Sequence, residues 1–152
     1  MNKLFLILFL SFKMTGQVNK LPVPSKSFVE KVRYEDNFEE KYFSKYLGKK
    51  EEHILKRFSD SKEVCAKEYK FKTGIKLKNN SCSEAGLDVE IVFPNYSKSE
   101  VIKFVEWFFK TDDNVWNKLK TKYQPKEDED AGCYLEIKES KGQTVLSYYC
   151  GC

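Results

Sequence analysis

Five cysteines, at positions 65, 82, 133, 150 and 152, are the residues whose type and spacing could do the most chemistry in this sequence. In an oxidising compartment such thiols pair by default. The favoured pairing joins Cys133 to Cys150 and Cys65 to Cys82. The first pair follows from a hairpin register set out below. The second closes a loop of about 17 residues, which stabilises by roughly 3 kcal/mol through the entropy it removes from the unfolded chain. Spacing alone also allows Cys82 to pair with Cys152. Under the favoured pairing Cys152 is a free thiol. It could link two chains as a dimer, or exchange with Cys150 across Gly151 as a redox pair. No CxxC motif accompanies it.

The sole histidine, His53, is the natural candidate for acid–base work. On a helix that buries Ile54, Leu55 and Phe58 it would point roughly 150° from the apolar centre. A solvent-facing imidazole without a nucleophile held against it does no catalysis. Zinc needs about four spaced ligands, which one histidine and bridged cysteines do not provide. Glu127, Asp128, Glu129 and Asp130 form an acidic run without the alternation and glycine of a calcium loop. No GxSxG, P-loop or dinucleotide fingerprint occurs, so neither a metal nor a cofactor is expected.

Lys70, Lys72, Lys76 and Lys78 alternate with Tyr69, Phe71, Ile75 and Leu77. If residues 69–78 are one half-buried strand, these lysines share a face. Lysines on an edge strand ordinarily guard against sheet-to-sheet aggregation. They could instead meet an acidic protein or an anionic envelope glycan, and they are the candidate partner-binding residues. Gly74 leaves a second geometry open, a bulge or a short hairpin turning at Thr73-Gly74.

These side chains are positioned by a chain whose pattern changes near residue 61. Before it, residues 25–32 suggest a short helix. Asn37 can cap a helix bearing Phe38, Tyr42, Phe43, Tyr46 and Leu47, which Gly48 stops. Residues 49–58 read as a further helix. Beyond it, Leu87, Val89, Ile91 and Phe93 alternate as a strand that Pro94 ends. Ser97 and Glu100 form a capping box ahead of Val101, Phe104, Val105 and Phe108 at helical spacing. Asp112 or Asp113 can cap another helix carrying Trp116, Leu119 and Tyr123. Residues 134–138 and 143–149 are strand-like, and a two-residue turn at Lys141-Gly142 joins them. That turn sets Ile137 opposite Leu146, Leu135 opposite Tyr148 and Cys133 opposite Cys150, where a cross-strand bridge fits. The order predicts an α+β fold: an antiparallel sheet of about four strands in two hairpin-like pairs, helices packed on one face, disulfides stabilising the whole.

Residues 1–16 carry Lys3, then an apolar run from position 4 to 12 broken only by Ser11, then small Gly16. The layout resembles bacterial Sec leaders, and it predicts a cleavable signal peptide. The run is far shorter than the ~20 apolar residues a membrane span needs, so no stable span is expected. Residues 17–27, with Pro22 and Pro24, read as a spacer, and 28–152 as a single domain of ordinary size. Loss of the leader reduces 27 basic residues to 25 against 23 acidic ones, a net charge of +2. So balanced a chain makes nucleic acid a poor partner. Twelve Phe, nine Tyr and two Trp supply the core.

The sequence therefore predicts an exported protein, periplasmic or extracellular, that binds a protein or a glycan as an inhibitor, immunity-type or accessory module. Two other classes stand beside it: a small envelope hydrolase with an unrecognised carboxylate site, and a thiol redox accessory using Cys150 and Cys152.

Overall fold

The computed structural model describes residues 19–35, 37–82, 86–127 and 132–151. The leader, Cys152, and Asp128, Glu129 and Asp130 lie outside the described residues.

The hairpin of β7 (Gly132–Ser140) and β8 (Gln143–Gly151) shows how local chemistry sets register. Lys141 and Gly142 both take positive φ, 47° and 79°, the conformation that twists a two-residue turn to suit antiparallel strands. Ile137 then faces Leu146, Leu135 faces Tyr148 and Cys133 faces Cys150, as the turn predicts. A second hairpin joins β2 (Val64–Phe71) to β3 (Lys76–Asn80) through a turn at Gly74, φ 84°. Of the two geometries open for residues 69–78, the chain adopts the hairpin.

With β1 (Lys49–Arg57), β4 (Leu87–Pro94), β5 (Asn114–Trp116) and β6 (Lys122–Pro125), the strands form one open antiparallel sheet in the order β1-β2-β3-β4-β8-β7-β6-β5. Two four-strand meanders thus meet along β4 and β8. Helices α1 (Lys26–Val32), α2 (Phe38–Leu47) and α3 (Lys98–Phe108) cover one face, and α3 carries the chain from the central β4 to the outer β5. Phe43 and Phe104, both fully buried, stack at 5.4 Å and pack against Phe93 of β4. Burying such rings against the sheet is what joins helices and strands into one core.

The expected α+β fold of about four strands is thereby corrected. The protein is mostly sheet, eight strands with three short helices, at 46% strand against 22% helix. Residues 49–58 supply the first miss. Every residue of β1 but Glu51 is exposed, so burial imposes no period of two and the spacing of Ile54, Leu55 and Phe58 imitates a helix. Pairing with β2 overrides that local preference. His53 therefore sits on a strand, its Nε2 3.2 Å from Glu51 Oε2. The helix expected after Asp113 is instead β5 and β6, which are too short to show alternation. Trp116 and Tyr123 are cross-strand partners whose rings meet at 4.9 Å, tilted by 46°, while Leu119 lies exposed between the two strands.

The capping box also differs. Ser97 takes the N-cap position without a side-chain cap bond. Glu100, nearly buried, uses Oε2 to accept the Leu21 N–H at 3.0 Å and Oε1 to accept from Lys103. Residues read as a spacer are strapped to the core by this bond, by Asn19 bridging Tyr96, and by the Tyr42 hydroxyl donating to the Pro22 carbonyl at 2.6 Å. Burial pushes the Tyr42 phenol well above its ordinary value, so it stays a donor.

Candidate functional site

The two bridges join Cys65 to Cys82 and Cys133 to Cys150. The second forms one wall of an aromatic cavity of about 410 Å³ between α2, the end of α3 and the sheet. Phe38 is on this cavity because α2 turns its apolar stripe toward the sheet. Phe108 and Phe109 arrive at the end of α3, and Tyr148 reaches in from β8. The rings support one another, with Phe38 5.0 Å from Phe108 and Phe109 4.8 Å from Tyr148. A space of this size and lining accepts an aromatic or branched apolar group.

Polar side chains line the same cavity. Arg33 donates from Nη2 to the Lys110 carbonyl at 2.7 Å, and its guanidinium lies over the Tyr34 ring at 5.2 Å. Its Nε is buried without a hydrogen-bond partner among the described residues. Glu35 is ion-paired with Lys41. Asp113 and Thr111 stand exposed at the mouth, and Glu39 lines the cavity while fully buried. The arrangement can hold an apolar group that carries a polar or charged end.

Sequence reasoning treated these aromatics as core and passed over Glu39. A signal for Glu39 existed: it lies on the same helical stripe as Tyr42, Phe43 and Tyr46, so a helix that buries those residues buries the carboxylate too.

The candidate lysines lie elsewhere, around the sheet face that the helices leave bare. Lys70 and Lys76 are cross-strand neighbours on β2 and β3. Lys78 lies between Glu68 and Glu90, and Lys70 is ion-paired with Glu51 at 3.1 Å. Lys72 falls in the β2–β3 turn and packs along Gly48. The four lysines thus belong to a mixed-charge surface rather than to one strand's cationic face. Beside them, Asp88, Glu90, Glu136, Tyr134 and Tyr149 line a shallow polar hollow of about 390 Å³.

Electrostatic shifts gather at β1. Lys70 first, and His53 with it, hold the Glu51 carboxyl below the usual carboxylate range. Lys49 and Lys67 do the same for Glu52. Burial alone would lower the Lys49 ammonium, but Glu40 and Glu52 outweigh it and raise it. These pairs fasten β1 to α2 and β2. Among the described residues no three His, Cys, Asp or Glu side chains are grouped to hold a metal ion, and no helix is long and apolar enough to cross a membrane.

No family model, curated protein or solved structure matches the chain significantly. Its function must therefore be argued from the site itself.

Proposed function

We propose that the protein is an exported, disulfide-bonded binding protein of the bacterial envelope or exterior. It acts by receiving an apolar group of a partner protein or glycoconjugate in the aromatic cavity. The carrying observation is that cavity, about 410 Å³, walled by Phe38, Phe108, Phe109, Tyr148 and the Cys133–Cys150 bridge. Two disulfides accord with an oxidising destination. An inhibitor, immunity-type or accessory role fits a module of this size that offers a preformed aromatic pocket.

Thr111 stands exposed at the mouth, so Thr111→Trp can block the cavity without repacking the core. Native mass spectrometry and affinity capture from the source envelope should find a bound species with the parent protein and lose it with Thr111→Trp. Binding that the variant leaves unchanged, or no bound species at all, contradicts the proposal.

A hydrolase reading retains one observation in its favour: Glu39 and Asp113 line the same cavity. Under it, Glu39→Gln abolishes turnover while leaving binding intact. Under the binding reading there is no turnover to lose. A redox role for Cys150 with Cys152 would first require the bridge to Cys133 to open, and it is not proposed.

A further inference from the structure

We propose that β1 is a self-association edge, and that a second copy of this chain pairs with it antiparallel about a two-fold axis at Ile54. This inference is independent of the cavity. The sheet is open, and its two edges are unequal: β5 has three residues, β1 has nine. An edge strand presents unpaired N–H and C=O groups along its length, a template for another strand. Here it also presents large apolar side chains, with Ile54 51%, Leu55 47% and Phe58 36% exposed.

The charge pattern selects the occupant. Acids precede Ile54 at Glu51 and Glu52, and bases follow it at Lys56 and Arg57. A parallel copy would set like charges side by side, whereas an antiparallel copy sets acids against bases. Between Ile54 and Arg57 the register with β2 slips twice, first at Leu55 on β1 and then at Cys65 on β2, and the two slips cancel. Glu52 and Lys56 therefore each stand two positions from Ile54, and Glu51 and Arg57 each stand three. A two-fold axis through Ile54 places Glu52 of each copy opposite Lys56 of the other and Glu51 opposite Arg57, with the two isoleucines in contact at the centre. Lys49 and Lys50 run out toward Ser59 and Phe58 of the other copy and meet no like charge.

Lysines and bulges usually blunt an edge against foreign strands. In this register each base near the axis meets an acid, so the same charges that repel other strands accept this one. The in-chain pairs that Glu52 makes with Lys49 and Lys67 are surface pairs and cost little to rearrange. Pairing β1 with β1 uses up the one long edge and leaves only the two short β5 edges outside. The contact closes as a dimer rather than growing as a fibre.

Sedimentation equilibrium of the oxidised protein carrying Cys152→Ser, which removes any covalent dimer through that thiol, tests the proposal. The expected result is a concentration-dependent dimer. Glu52→Lys should weaken it about tenfold or more, since it breaks two symmetric pairs. Adding Lys56→Glu to that variant should restore it, which also rules out simple misfolding. Val115→Lys, on the opposite edge, should leave it unchanged. A monomer at all concentrations, or a dimer indifferent to Glu52→Lys, overturns the proposal. So does a loss that Lys56→Glu does not rescue.

Discussion

Replacing Cys133 and Cys150 together by alanine removes the bridge that walls the cavity. Its cost follows from the loop it closes. The two cysteines are 17 residues apart, and so are Cys65 and Cys82. For a loop of this length the chain-entropy relation gives a loss of about 10 cal/mol/K, or about 3 kcal/mol at room temperature. Equal loops predict equal costs, although one bridge spans β7 and β8 and the other ties β2 to the residues beyond β3. Urea unfolding of the two double variants, each with Cys152→Ser to prevent reshuffling, should show midpoints lowered by similar amounts. The slope should rise as well, because an uncrosslinked denatured chain exposes more surface. A loss below about 1 kcal/mol for both, or costs that differ by more than about 2 kcal/mol, would refute the entropic reasoning. Native strain or residual denatured structure would then dominate.

Phe104→Ala should destabilise by about 3–5 kcal/mol, because the ring is fully buried and stacked on Phe43. Leu119→Ala, 72% exposed, should stay within about 0.5 kcal/mol by the same urea assay. Gly86→Ala should cost about 1–3 kcal/mol or more in thermal melts, since Gly86 has φ 145° and a Cβ there would lie 2.4 Å from the Cys150 carbonyl oxygen. Burial alone would raise the Glu100 carboxyl, but Lys103 and the Leu21 N–H outweigh it and hold it below its ordinary value of 4.5. A lowered folded value means the Glu100 contribution is full above 4.5 and is lost as pH falls through the folded value. Urea melts at stepped pH should show Glu100→Gln destabilising near neutrality, with the gap to the parent closing on acidification. A gap that widens with acid contradicts the assignment.

What the sequence made legible was whatever burial or turn chemistry dictates locally. The Lys141-Gly142 turn fixes the β7–β8 register and with it the Cys133–Cys150 pair. The stripe of Val101, Phe104, Val105 and Phe108 marks α3, and Phe38, Tyr42 and Phe43 mark α2. The strand count was illegible for the opposite reason. At the open edge β1 buries almost nothing, so its residues carry no alternation to read. β5 and β6 are too short to express one. The partner of Glu100 was hidden because the Leu21 N–H lies 79 positions away, and a capping box looks the same in sequence whichever amide the carboxylate takes. The cavity was illegible as a cavity: Phe38, Phe108 and Tyr148 look like core residues until the packing leaves a space between them.

The most direct measurement of the central claim, that the cavity receives an apolar group, is an NMR titration of the oxidised protein with indole as a neutral aromatic probe. The account predicts saturable shifts confined to Phe38, Phe108, Phe109, Tyr148 and their neighbours, and their loss in Thr111→Trp. Shifts that never saturate, that fall elsewhere on the surface, or that persist in Thr111→Trp would contradict it.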